Sequence, residues 1–233
     1  MTRGAICRDC TIPTEGGKWA RHVGACGPWP VQLRQGTTLT SEQYVTQRAW
    51  CQARLDLCPQ HRDGGCGFAR HGTYARLDPP GMRVARWYCP AAHMTFSLLP
   101  DCLASRLSGS LDEVEDAVVA AESMGVEAAA QALRVQEVEL PGALRWLGRR
   151  RRGVRAAVLA LITAMPGRLG TVPEVRAIRA MLGTERALVA LRGIGAAHLH
   201  ALPHPLGFCP SFSGRAEGEP PLQHETGPDP PTP

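Results

Sequence analysis

The residues best equipped for chemistry in this 233-residue chain lie between Cys58 and His93. The stretch reads CPQHRDGGCGFARHGTYARLDPPGMRVARWYCPAAH. Thiolates and imidazoles are zinc ligands. A structural zinc takes four of them in a tetrahedron, usually as two close pairs separated by a loop. Cys58 and Cys66 make one candidate pair, and Cys89 and His93 make the other. Pro59 and Pro90 each follow the first cysteine of a pair and fix φ where a turn must aim both ligands inward. Gly67 follows Cys66, where such a knuckle needs positive φ. His61 is an alternate ligand, because Cys58-Pro59-Gln60-His61 is itself a two-residue knuckle and the seven-residue gap from Cys58 to Cys66 is wide. The chemistry expected is structural Zn2+ binding.

Between the pairs the sequence predicts a hairpin. Phe68 to Tyr74 and Val84 to Tyr88 alternate as strands, and Asp78-Pro79-Pro80-Gly81 supplies the turn. A hairpin this short buries little, so a metal would provide much of its folding energy. Arg70, Arg76, Arg83 and Arg86 stud it and are candidate DNA-phosphate contacts.

The composition narrows the partners. The net charge is +5, and Lys18 is the lone lysine among 26 basic residues. Positive charge carried by arginine favours bidentate contact with phosphate or guanine. No apolar run is long enough for a membrane span, and no signal peptide is legible at the start. The nine cysteines, an odd number, do not suggest a disulfide framework. A cytoplasmic, nucleoid-associated protein with reduced thiols is therefore expected.

Residues 1–38 read as an irregular arm, in which Cys7, Cys10, His22 and Cys26 are a weaker second metal set. Thr40 and Gln43 form a capping box for a helix with Tyr44, Cys51 and Leu55 on one face. Met94 to Pro100 anchors the ribbon to the second half of the chain, and Cys102 reads as a small buried residue. Ser110 and Glu113 cap a second helix, with Leu111, Val114, Val118 and Ala121 inward and Gly125 as its stop. A short helix carries Val126, Ala129, Ala130 and Leu133, and Pro141 opens a third.

That succession is the pattern of a helix-turn-helix. In the third helix Leu140, Leu144, Leu147, Val154, Val158 and Leu161 share a face. At about 100° per residue, Arg145, Arg149 and Arg152 lie opposite and are the candidate DNA contacts. Six of the eleven positions from Arg145 to Arg155 are arginine. Arg151 falls on the apolar stripe, so it must snorkel or the helix must break between Gly148 and Gly153. Two further helices start near Pro173 and Thr184, and their Arg176, Arg179 and Arg186 extend the basic surface. His198, His200 and His204 read as surface residues of a frayed end, before a Pro-rich tail without order.

The segments YVTQRAWCQARLDLCPQH, GGCGFARHGTYARLDPPGMRVARWYCPAAHMTFSLLPDCLA and LPGALRWLGRRRRGVRA resemble an uncharacterised bacterial group associated with insertion-sequence transposases. The ribbon is also similar to the zinc-binding starts of several transposases. The resemblance implies DNA binding in a mobile-element setting, with a transposase as a partner. By position it implies Cys58, Cys66, Cys89 and His93 as ligands. The first knuckle is expanded relative to that pattern, which leaves His61 open.

The fold expected is mainly α with a small β zinc ribbon. It comprises an arm over 1–38, a helix plus ribbon over 39–107, a helix-turn-helix-like domain over 108–203 and a disordered tail over 204–233. The function expected is non-enzymatic binding of duplex DNA, of mobile-element or regulatory type. The alternative is a ribbon that serves protein–protein interaction. A metal-dependent nuclease or hydrolase ranks last, because a catalytic zinc needs an open position and a nearby base. Asp101, Asp112, Glu113, Glu115 and Asp116 read instead as residues complementing a helix dipole.

Overall fold

The computed structural model describes residues 31–133 and 140–208, together with the backbone of Cys10–Pro13 and Trp19–His22. Cys7, Cys26, the loop expected from Val135 to Glu139 and the tail from Cys209 lie outside the described residues. Two strands, β1 (Cys10–Pro13) and β2 (Trp19–His22), pair antiparallel, with Cys10 opposite His22.

The ribbon is larger than the sequence suggests. A four-stranded mixed sheet runs β3-β6-β5-β4. Its strands are β3 (Val31–Gln35), β4 (Ala69–Ala75), β5 (Arg83–Cys89) and β6 (Met94–Pro100). The expected hairpin is β4–β5. Met94 to Pro100, read as an anchor, instead pairs antiparallel with β5 and parallel with β3. The fold is therefore mixed α and β. The reason is packing: Ala85, Trp87, Phe96 and Leu98 of the sheet share a buried cluster with Tyr44 and Trp50 from the segment before the first knuckle. That is a core in its own right.

The Thr40 capping box forms, and helix α1 (Ser41–Thr46) starts from it. It stops sooner than expected. Arg48 turns left-handed at φ 50°, and a single 3-10 turn, Ala49–Cys51, follows. Cys51 is thereby exposed rather than buried.

The second half is helical, as expected. Helix α2 (Leu111–Met124) is opened by the Ser110/Glu113 capping box and closed at Gly125. Helices α3 (Val126–Ala132) and α4 (Leu140–Ala164) pack with it through Ala117, Ala121, Ala129, Ala130, Ala143 and Leu147. Alanine at these positions lets the three helices approach closely. Helix α4 is continuous through Gly148 and Gly153. Gly153 is buried against His204, only 3.3 Å from where its Cβ would be. Helices α5 (Val175–Leu182) and α6 (Ala187–Ile194) complete the helical core with Val154, Val158 and Leu161.

The segment after α6 is not frayed up to Phe208. Leu199, Leu202 and Leu206 are buried in the helical core. Arg192, fully buried, ties this segment to the sheet. It donates to the carbonyls of Pro100, Asp101, Leu103, Pro205 and Leu206. Burial lowers its pKa to about 10, against the pull of Asp101 and Cys102, so the group is charged at neutral pH. Among the described residues no helix is long and apolar enough to cross a membrane.

Candidate metal centre

Cys58, His61, Cys66 and Cys89 converge, with one ligand atom from each lying within 4.8 Å of the others. Two chain segments build the group. The first is the loop before β4. The His61 amide donates to the Cys58 carbonyl at 3.2 Å, which closes the Cys58-Pro59-Gln60-His61 knuckle and folds the imidazole back toward the thiol. Gly64 and Gly65 at φ 80° and 75° then return the chain to Cys66, which is how the wide gap is spanned. The second segment is the end of β5, which delivers Cys89 from inside the sheet. Gly67, at φ 68°, passes so close to Pro90 that a Cβ there would sit 2.9 Å from the ring. The close approach of this glycine to Pro90 holds the two halves of the site together.

His61 Nδ1 lies 3.6 Å from Cys58 Sγ and 3.4 Å from Cys89 Sγ. A tetrahedral zinc with ordinary Zn–S and Zn–N bonds places sulfur and nitrogen about 3.6 Å apart. The three sulfurs are buried and the imidazole is half-buried. Such a Cys3His group could hold a metal ion such as zinc.

Backbone amides serve two sulfurs. The Ala92 amide bonds Cys89, and the Phe68 amide bonds Cys66. Burial nevertheless pushes the Cys89 thiol up, helped by the Cys58 and Cys66 sulfurs beside it. At Cys66 burial also pushes upward, but the Phe68 amide and the Cys58 and Cys89 thiols outweigh it, and the net shift is down. Three sulfurs crowded in one buried place repel as thiolates, and a divalent cation relieves that conflict by deprotonating its ligands outright.

His93 is outside the group. The chain turns left-handed there, at φ 51°, and the ring lies 3.4 Å from the Tyr88 hydroxyl through its Nδ1. The fourth place expected of His93 is filled by the alternate, His61. Both turns are closed by a backbone hydrogen bond, from the His61 amide to the Cys58 carbonyl and from the His93 amide to the Pro90 carbonyl, each at 3.2 Å. They differ in where the ring goes: His61 faces the Cys58 and Cys89 sulfurs, whereas left-handed His93 sets its ring beside the Tyr88 hydroxyl.

The arginines separate into two sets. On the hairpin, Arg70 donates to the Trp50 and Cys51 carbonyls and lies over the Trp87 ring. Arg76 donates to the carbonyls of Ala104 and Leu107. Both guanidiniums are tied to backbone carbonyls, Arg70 while exposed and Arg76 while half-buried. Arg83 bonds the Thr73 hydroxyl on the surface, and Arg86 is half-buried near the Tyr74 ring. On α4 the picture is the reverse. Arg145, Arg149 and Arg152 are exposed, as are Arg151 and Arg155. Among the described residues no carboxylate pairs with any of them. The buried arginine of this helix is Arg150, not Arg151. Its guanidinium stacks 3.6 Å from the Trp146 ring centre and donates to the Ser108 carbonyl and hydroxyl. A slight rotation of the stripe, set by those partners, exchanges the two neighbours.

The acidic residues do more than complement one dipole. Glu115, fully buried, accepts from the Ala187 and Leu188 amides and from Arg179, so it caps α6 from across the bundle. Asp112 pairs with Arg186 and Asp116 with Arg179. Arg179 and Arg186 are thereby neutralised locally and do not extend the basic face as expected.

No protein-family model, no curated protein and no solved structure matches the chain. The resemblance to transposase-associated proteins stands on the quoted motifs alone.

Proposed function

We propose that the protein is a non-enzymatic binder of duplex DNA. Its Cys3His group holds a structural zinc, and α4 is the element that meets the nucleic acid. One observation carries this reading. The fold neutralises or ties down Arg34, Arg70, Arg76, Arg150, Arg179, Arg186 and Arg192, yet leaves five arginines exposed and without a carboxylate partner, among the described residues, along one helix. Clustered arginine on a helix supported by two others from behind is the electrostatic footprint of a DNA-binding unit. The zinc is read as structural because four protein ligands close its coordination and no carboxylate belongs to the group. The mobile-element setting and a transposase partner rest on the sequence resemblance.

The test is a salt titration of duplex binding with Arg145, Arg149 and Arg152 all changed to alanine. Loss of three phosphate or base contacts lowers affinity and flattens the dependence of log K on log salt, by a slope of about 0.9 for each phosphate contact removed. Unchanged affinity and slope would remove α4 from the account and favour the protein-interaction reading.

A further inference from the structure

We infer that the α4 face reads guanine, so that the preferred ligand is duplex DNA bearing a run of guanines on one strand, contacted through the major groove. The inference rests on the DNA-binding reading above and adds the base it recognises.

The ground is the chemistry of the face. From Gly142 to Val158 the exposed side chains of α4 are Arg145, Arg149, Arg151, Arg152, Arg155 and Ala156. No Asn, Gln, Ser, Thr, Asp or Glu occurs in this stretch. A guanidinium has five N–H donors and no acceptor. The exposed polar side-chain atoms that α4 itself contributes are therefore all donors. Arg151 and Arg155 share a cleft with Glu122 and Glu174, which leaves Arg145, Arg149 and Arg152 as the donor-only part of the face. In the major groove guanine presents two adjacent acceptors, O6 and N7. Adenine sets a donor beside its N7, cytosine offers its N4 donor, and thymine offers one acceptor beside a methyl group. A planar fork of donors is matched on both prongs only by guanine or phosphate.

Two further observations fit. Arg150 shows what an arginine committed to the fold looks like on this helix, bonded to Ser108 and stacked on Trp146, whereas the other five are exposed. The spacing also suits successive bases. Arg145 to Arg152 spans roughly 10 Å at a rise of ~1.5 Å per residue, close to three base steps of ~3.4 Å. The face thus covers about four base pairs.

The experiment measures binding of the full chain to three duplexes of equal length at one salt concentration, by fluorescence anisotropy. One carries a guanine run, one carries 7-deazaguanine in the same places, and one carries A·T pairs there. Deaza substitution removes N7 and keeps Watson–Crick pairing, so no protein variant that fails to fold can confuse the result. The guanine duplex is expected to bind more tightly than either by about tenfold or more. Arg149→Lys keeps the charge but loses the fork, and it narrows the gap. Equal affinity for all three duplexes would overturn the guanine inference and leave DNA binding standing. Failure to bind any of them would overturn the DNA-binding reading, and this inference with it.

Discussion

His61 and His93 differ by a residue in spacing, and the structure gathers His61, not His93, with the three cysteines. Both follow a Cys-Pro dipeptide, and the sequence offers both. Both turns close on a backbone hydrogen bond, and the choice between them lies in the direction each gives its ring, which the left-handed backbone at His93 turns toward Tyr88. The cysteines are legible from their types and spacing, whereas the fourth ligand is not, because knuckle geometry is a backbone property. His61→Ala is expected to release the metal at far lower chelator concentration than wild type, and His93→Ala to behave as wild type, when zinc release is followed with a chromogenic chelator. Glu115 is the other residue whose role sequence reading does not reach. It looks like one more acid near a helix start, but it caps a helix more than seventy positions away. Long-range partners of that kind leave no local pattern. Glu115→Ala orphans two buried amides and removes one of the three carboxylate partners of the half-buried Arg179, and should cost about 3 kcal/mol in urea denaturation.

At the scale of elements, caps and periodicity carry most of the reading. Thr40/Gln43 and Ser110/Glu113 form their capping boxes, and the stop at Gly125 falls where glycine predicts it. Strand β6 escapes it, because a short, largely apolar run such as Met94 to Pro100 has no distinctive period, and β3 escapes it because the alternation of Val31–Gln35 lasts only five residues. Helix α4 is legible in its stripe but ambiguous by one residue, and the ambiguity is resolved by Trp146 and Ser108. This separates two neighbouring arginines experimentally. Arg150→Ala should lower stability by about 2 kcal/mol, because it loses a stacked ring and two hydrogen bonds. Arg149→Ala should leave the unfolding free energy within about 0.5 kcal/mol of wild type while weakening DNA binding. Paired unfolding and anisotropy measurements on the two variants check both halves of that statement.

Across the whole molecule, the sheet and the helices have separate cores, joined where Arg192 gathers carbonyls from β6, the turn after it and the segment before Phe208. The three cysteines of the metal group belong to the sheet core, and none of the four ligands belongs to the helical one. Metal removal should therefore loosen the knuckles and the β4–β5 hairpin without unfolding α2 to α6. Far-ultraviolet circular dichroism is expected to keep most of its helical signal after chelation, in contrast to a small zinc finger, which unfolds outright. The Cys3His centre is the claim on which the organisation of the first half depends, and X-ray absorption at the zinc edge tests it most directly. The account predicts about one zinc per chain, with three sulfurs at about 2.3 Å and one nitrogen at about 2.0 Å, unchanged in His93→Ala and lost in Cys89→Ser. No zinc in protein purified without chelator, or a nitrogen contribution that disappears with His93→Ala, would contradict it.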